Sequence, residues 1–344
     1  MQFFHTNGVF MPLFTAGPSE ISPQISKILS LPIIHHRSKE FRECFDFCHD
    51  RLLEIAQMQE VFMLCSSGSG AMESAISSLS PSHLLILENG KFSQRWGEIA
   101  RSFGIKTTTL SSSWDCSHRA SEVLKVLQDN ESIDGVCLCG VESSGGVREE
   151  YEAITQSIKA HNPQILTFLD AIALFGGERI EVQNIDVLVA SSQKILGLPV
   201  GLGFVFTSSY ALNLLQNRAP KSYYLALQNY LDNPIAFSLP SNLFLALEYV
   251  LKSIDFERNY ALIKERFRET KEILHSKGIA LYPQNPSYSI IAFNDSQSQI
   301  KNTLAQHNIL ISSGQSHLKT KVSRIGNFGG FQEYERVLEG LRRV

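Results

Sequence analysis

Asp186-Val-Leu-Val-Ala-Ser-Ser-Gln-Lys194 reads as a buried strand that ends by delivering a lysine. One segment upstream, Ile165-Leu-Thr-Phe-Leu169 runs into Asp170 and Ala171 and so delivers a carboxylate. Short runs this apolar fit strands covered on both faces, as in a parallel sheet flanked by helices. Both charges stand at strand ends, where α/β proteins build their sites. Taken singly, the lysine reads as a solvated loop residue and the aspartate as a helix N-cap. Together they suit a pyridoxal phosphate (PLP) enzyme. The lysine would hold the aldehyde as a Schiff base, and the aspartate would keep the pyridine nitrogen protonated.

Outward from this stretch, strand-like runs alternate with helical ones. Val61-Phe-Met-Leu-Cys65 leads through Ser67-Gly-Ser-Gly70 into a helical segment ending near Leu79. His83-Leu-Leu-Ile-Leu87 leads through Asn89-Gly90 into another that ends near Phe103. Gly135-Val-Cys-Leu-Cys139 is followed by Glu142-Ser-Ser-Gly-Gly146 and a helix over about 149–160, and Gly201-Leu-Gly-Phe-Val-Phe206 supplies a further strand. The alternation predicts a mainly parallel sheet between helices. From about residue 240 the pattern changes. Helices over 242–253 and 256–277 precede strands at 279–282 and 289–293, a helix near 297–307, strands at 309–312 and 322–325, and a last helix from Phe331. The expected division is a large domain over 18–250 and a small α/β domain over 251–344, with residues 1–17 packing near the latter and the site.

The bulk numbers narrow the partners. A chain of 344 residues with 43% hydrophobic and 19% charged residues is an ordinary globular protein. A formal charge of −3 gives no general attraction to nucleic acid or an anionic membrane. The start, Met1-Gln-Phe-Phe-His-Thr-Asn7, lacks the pattern of a signal peptide, and no apolar run is long enough for a membrane span. Six cysteines include Cys137 and Cys139 inside a strand-like run, and Cys44 and Cys48 spaced i, i+4 without a second pair. This spacing argues against zinc and for reduced thiols in a cytoplasm.

Other pieces of a cofactor site are present. Ser67-Gly-Ser-Gly70 between strand and helix suits a phosphate, although Gly-Ser turns are common. Phe92 offers a face for a flat ring, or serves as a core aromatic. Ser143 and Ser144 offer hydroxyls to a ring oxygen, or cap the next helix. Arg324, in Val322-Ser-Arg-Ile-Gly326, offers a fork of donors to a carboxylate, or faces solvent.

On these residues the chain resembles the class V, fold-type I PLP aminotransferases, in particular the serine–pyruvate/alanine–glyoxylate branch. The resemblance runs in order through Ala16-Gly-Pro-Ser19, His36-Arg-Ser-Lys-Glu-Phe41, Ser67-Gly-Ser-Gly-Ala-Met-Glu73 and Asn89-Gly-Lys-Phe-Ser-Gln-Arg95. It continues through Glu142-Ser-Ser-Gly-Gly-Val147, Leu169-Asp-Ala171, Gly176-Gly177, Ser192-Gln-Lys194 and Arg324-Ile-Gly326. It implies a seven-stranded, mainly parallel sheet in a large PLP-binding domain, a smaller C-terminal α/β domain, and a homodimer with shared sites. It also implies roles. Lys194 and Asp170 are catalytic. Ser69, Gly70 and Gln193 hold the phosphate, with Ser238 reaching the phosphate of the neighbouring subunit. Phe92 stacks on the ring, Ser143 or Ser144 meets its hydroxyl, and Arg324 with Gly17 binds the substrate. The expected reaction moves an amino group from a small amino acid such as alanine or serine to a 2-oxo acid such as glyoxylate or pyruvate.

Departures from the family pattern are Phe92 in place of Trp, Ser69 in place of Thr and Gly145 in place of Thr. Aspartate, a phosphonate amine or phosphoserine are alternative donors. A lyase related to cysteine desulfurases needs a nucleophilic cysteine on a C-terminal loop, and no cysteine follows Cys139. A non-catalytic PLP-binding regulator is the reading from another class; the presence of Lys194, Asp170 and Arg324 weighs against it.

Overall fold

A computed structural model describes residues 13–344; the Met1–Asn7 stretch and the rest of residues 1–12 lie outside it. Its strands are β1 (Glu60–Ser66), β2 (His83–Glu88), β3 (Lys106–Ser111), β4 (Gly135–Cys139), β5 (Val141–Glu142), β6 (Val147–Arg148), β7 (Leu166–Asp170), β8 (Val187–Ser191), β9 (Gly201–Thr207), β10 (Ile290–Asn294), β11 (Ser312–Ser313) and β12 (Val322–Gly326). Seven of them form one sheet in the order β1-β9-β8-β7-β4-β2-β3. The pairs β2–β3, β2–β4, β4–β7 and β7–β8 are parallel, and β9 runs antiparallel to both its neighbours.

The apolar runs occupy the middle of this sheet. Every residue of β4, β7 and β8 is buried. Alternate side chains go to opposite faces, the strand period of two. Leu85, Leu138, Leu169 and Leu188 enter one core, while Leu84, Ile86, Phe168 and Val189 enter the other. The opposite edge carries Lys106-Thr-Thr-Thr-Leu-Ser111, a polar strand with no buried residue. Its sequence gives no apolar alternation because neither face of this edge strand is buried; neither it nor the helix Ala120–Asp129 was expected.

Asp186 at the head of the deciding stretch is a structural hub. It is buried, accepts from Thr167 N (2.9 Å) and Ser208 Oγ (3.1 Å), and pairs with Lys159 Nζ. It thereby locks the entry of β8 to β7 and to the chain leaving β9.

A second sheet, β10-β12-β11, is antiparallel. Ile291, Phe293 and Ile325 pack with Phe14, with Phe267 and Leu274 of the helix Phe256–Ser276, and with Val337 and Leu341 of the helix Glu335–Arg343. Three expectations here are corrected. Residues 279–282 form no strand but a single bridge, Leu281 to Phe293. Residues 309–312 give only the two-residue β11, because the Leu310 carbonyl is taken by Phe14 N at 2.8 Å. The last helix starts at Glu335 rather than Phe331, since Gln332 turns back to bond Phe328 N (2.7 Å) and the Gly326 carbonyl (3.2 Å).

Candidate active site

The carboxyl ends of β1, β2, β4, β7 and β8 share one rim of the large sheet, and the expected residues gather there. Asp170 is the last residue of β7, and Lys194 follows β8 by three residues. Ser67-Gly68-Ser69-Gly70 opens the helix Gly68–Leu79 after β1, and Phe92 lies in the first turn of the helix Lys91–Ser102 after β2. Arg324 enters from β12, and residues 14–19 cross the rim as a strap.

Lys194 is buried, and its Nζ donates to the Ala16 carbonyl and, at 3.4 Å, to Ser143 Oγ. The rings of Phe92 and Phe328 lie with centroids 5.9 and 5.7 Å from it. Gly17 has a φ of +116°, a conformation that favours glycine, and a Cβ there would stand 2.7–2.9 Å from the end of the lysine side chain. The strap is tied at Gly326 N to the Phe14 carbonyl, at Ala16 N to Ser312 Oγ (3.0 Å), and at Ser19 N to the Gln193 carbonyl (2.9 Å). Burial, and then the nearby Arg324 charge, push the Lys194 amine down to about 8, against the opposing pull of Asp170 and Glu142. Such an amine is neutral far more often near neutral pH than an ordinary lysine.

Asp170 shows the opposite balance. Burial raises its carboxyl to about 6, although Ile172 N donates to Oδ1 at 2.8 Å and the Cys139 thiol to Oδ2 at 3.4 Å. The thiol reaches it because β4 and β7 pair Cys139 with Asp170 in register. At neutral pH the carboxylate is ionised and held by two donors, one of which, the Cys139 thiol, comes from the neighbouring strand.

Arg324 is buried without a carboxylate. Nε and Nη2 donate to the Ser313 carbonyl (2.9 and 2.6 Å), and Nη1 donates to the Ser143 carbonyl (2.6 Å). A guanidinium has five N–H donors, so two remain for a ligand. Burial lowers Arg324 to about 10, against the opposing pull of Glu142.

The two serines separate. Ser143 faces the lysine, whereas Ser144 Oγ donates to Glu142 (2.6 Å) and accepts from Lys91 N (3.1 Å). The Glu142 carboxylate also accepts from Phe92 N (3.0 Å) and Ser93 N (2.7 Å). Together Ser144 and Glu142 satisfy three of the free N–H groups of that helix start and fix Phe92. Gly145 also has a local cause: a Cβ there would run into the Trp114 carbonyl. Ser69 and Gly70 lie in the first turn of their helix, where a Cβ on Gly70 would strike Ser66. Ser191 Oγ and Gln193 Oε1 are buried beside this turn or the lysine with no hydrogen-bond partner. Ser238 is exposed and not gathered into the site of its own chain. Sequence reading missed Ala16, Glu142, Phe328, Cys139 and Arg95. Only Glu142 carried a signal, as a lone acid between apolar and small residues.

Among the described residues no helix is long and apolar enough to cross a membrane, no His/Cys/Asp/Glu cluster suits a metal, and all six cysteines are free thiols.

Comparison with known proteins bears on the family. The family described as Aminotransferase class-V matches residues 30–327. An uncharacterized aminotransferase of Helicobacter pylori is 32% identical over 94% of this chain and 90% of its own length. The L-aspartate–glyoxylate aminotransferase of Paracoccus denitrificans is 26% identical over 94% of this chain and 87% of its own. Among solved structures, an aspartate aminotransferase of subgroup IV from Thermus thermophilus superposes with a TM-score of 0.90 at 29% identity, covering 96% of this chain and 98% of that one. A match across most of the sequence and a shared fold across nearly all of it leave one conclusion: this chain belongs to the class-V aminotransferases, enzymes that transfer amino groups.

Proposed function

We propose that the protein uses pyridoxal phosphate to move an amino group from a small amino acid, alanine or serine, to a 2-oxo acid such as glyoxylate or pyruvate. The observation that carries this reading is a buried amine, depressed to about 8, set among Ser143, Asp170 and a guanidinium with two free donors. The residues suit the cofactor. The unpartnered Ser191 Oγ, a hydroxyl free to donate, and a helix start where Gly68 and Gly70 leave no room for a Cβ, fit a phosphate end; Phe92 and Asp170 fit a flat ring with a basic nitrogen.

Pyridoxal phosphate, when bound, supplies an electron sink for the charge left at the substrate Cα. The chain's own residues do the rest. Arg324 and the strap at Gly17 orient the substrate carboxylate so that its Cα faces Lys194. Lys194, neutral in a useful fraction at working pH, takes the Cα proton and returns it on the other side of the transfer. Asp170, ionised and anchored by Ile172 N and Cys139, holds the ring nitrogen's proton. Ser143, with Ser144 next to it in the chain, would meet the ring hydroxyl, and Ser69, Gly70 and Gln193 would hold the phosphate. Residues 18–250 form the cofactor-binding domain and 251–344 the smaller one. The working form is a cytoplasmic homodimer in which Ser238 serves the neighbouring subunit's phosphate.

Aspartate is the second reading for the donor, favoured by the names of the Thermus and Paracoccus relatives. The test is the visible spectrum of purified protein with L-alanine, L-serine or L-aspartate added singly. Loss of the cofactor band with formation of the matching oxo acid is expected, fastest with the neutral donors. A band that none of the three alters would overturn the assignment of donors.

Asp170→Asn separates chemistry from stability. A carboxyl raised in the folded state favours folding most below its unfolded pKa, and that contribution is lost as pH rises from about 4 to about 6. Two units correspond to about 3 kcal/mol at most. The cofactor-free variant is therefore expected to melt no lower than the parent at pH 7 and to lose this pH dependence, while turnover falls at least about a hundredfold. A variant destabilised at pH 7 but active would contradict both halves.

A further inference from the structure

The helix Lys91–Ser102 presents a second residue to the site. Phe92 and Arg95 are three apart and so share a face. The Arg95 guanidinium carbon lies 5.2 Å from the Phe92 ring centroid, a cation–π seat. From that seat Nη1 donates to Ser69 Oγ at 2.8 Å, across to the first turn of the helix Gly68–Leu79. Among the described residues Arg95 pairs with no carboxylate, so its charge is not spent on an ion pair. A serine hydroxyl that accepts from an arginine has one proton left, and that proton must be donated elsewhere.

We propose that Arg95 is a positioning residue for the phosphate end of the cofactor: seated on Phe92, it fixes Ser69 as an acceptor on its inner side and so aims the Ser69 O–H outward as a donor to phosphate. The inference rests on the cofactor reading above. Without Arg95 the hydroxyl can rotate, donate to a neighbouring carbonyl and offer the phosphate only lone pairs. Phe92 thereby acquires a second task besides facing the ring, because its outer surface holds the guanidinium in reach of Ser69. A lysine in place of Arg95 keeps a donor and a charge but lacks the planar fork that can stack and donate at once.

The test compares full-length wild type, Arg95→Ala, Arg95→Lys, Ser69→Ala and the double variant Arg95→Ala/Ser69→Ala. Each is freed of cofactor and titrated with pyridoxal phosphate and, separately, with pyridoxal, which lacks the phosphate; thermal melts check folding. Arg95→Ala is expected to weaken pyridoxal phosphate binding by about tenfold, in the range of a lost charge-assisted hydrogen bond, and pyridoxal binding by less than about twofold. Arg95→Lys should restore part of the loss, and the double variant should bind no worse than Ser69→Ala. Equal losses for the two ligands, additive losses in the double variant, or wild-type affinity in Arg95→Ala would each overturn the inference. A wild-type chain that binds neither ligand would instead overturn the cofactor reading itself.

Discussion

Lys194→Ala is expected to lower the rate of amino transfer by about four orders of magnitude or more, while the protein still folds and retains some pyridoxal phosphate. No other amine can substitute. The further cations of the site among the described residues are guanidiniums, Arg95 seated on Phe92 and Arg324, which stays protonated at working pH even when lowered to about 10. Folding should survive because the deletion removes a desolvated cation along with its bonds to Ala16 and Ser143. These effects oppose each other. Single-turnover formation of pyruvate from L-alanine, beside a thermal melt, measures both. Ordinary turnover in this variant would remove Lys194 from the mechanism and the function with it.

Arg324→Ala should act on binding instead. Losing two charge-assisted bonds to a carboxylate costs about 2–4 kcal/mol, a rise in KM of about thirtyfold to several hundredfold, with kcat changed far less. A second consequence has a definite sign. The Arg324 charge helps to hold the Lys194 amine down, so its removal lets that amine rise above about 8. In the cofactor-free protein, where Lys194 is a free amine that must lose its proton to react, the acidic limb of the pH profile for capture of pyridoxal phosphate should move to higher pH. An unchanged KM would refute the carboxylate role, and a limb that stays in place would show that burial alone sets the lysine.

Much of the rim was legible because it is written in local contrasts. A lysine or an aspartate closing an apolar run is visible in a linear string, and so is a Gly-Ser turn between strand and helix. Arg324 was legible for the same reason. The remainder depends on pairings between distant segments. Nothing in Val136-Cys-Leu-Cys139 says that its last thiol will meet Asp170; only the β4–β7 register says so. Ala16 contributes a carbonyl, which every residue has. Ser143 and Ser144 are adjacent and alike in sequence, yet one faces the lysine and the other stays with Glu142. In the fold, β3 was hidden by its polar edge character, and β11 was overestimated because a neighbouring segment took the Leu310 hydrogen bond.

The strap also imposes an order of assembly. Residues 14–19 are made roughly three hundred residues before their partners at Leu310, Ser312 and Gly326. Closing so long a loop carries an entropic cost that local elements do not face, and contacts of such separation form late. The large sheet can therefore collect its strands while the lysine still lies open to water. A chain stopped before Leu310 would keep only the tie of Ser19 to Gln193, so the amine of Lys194 gains its full cover only once the segment from Leu310 to Gly326 has joined.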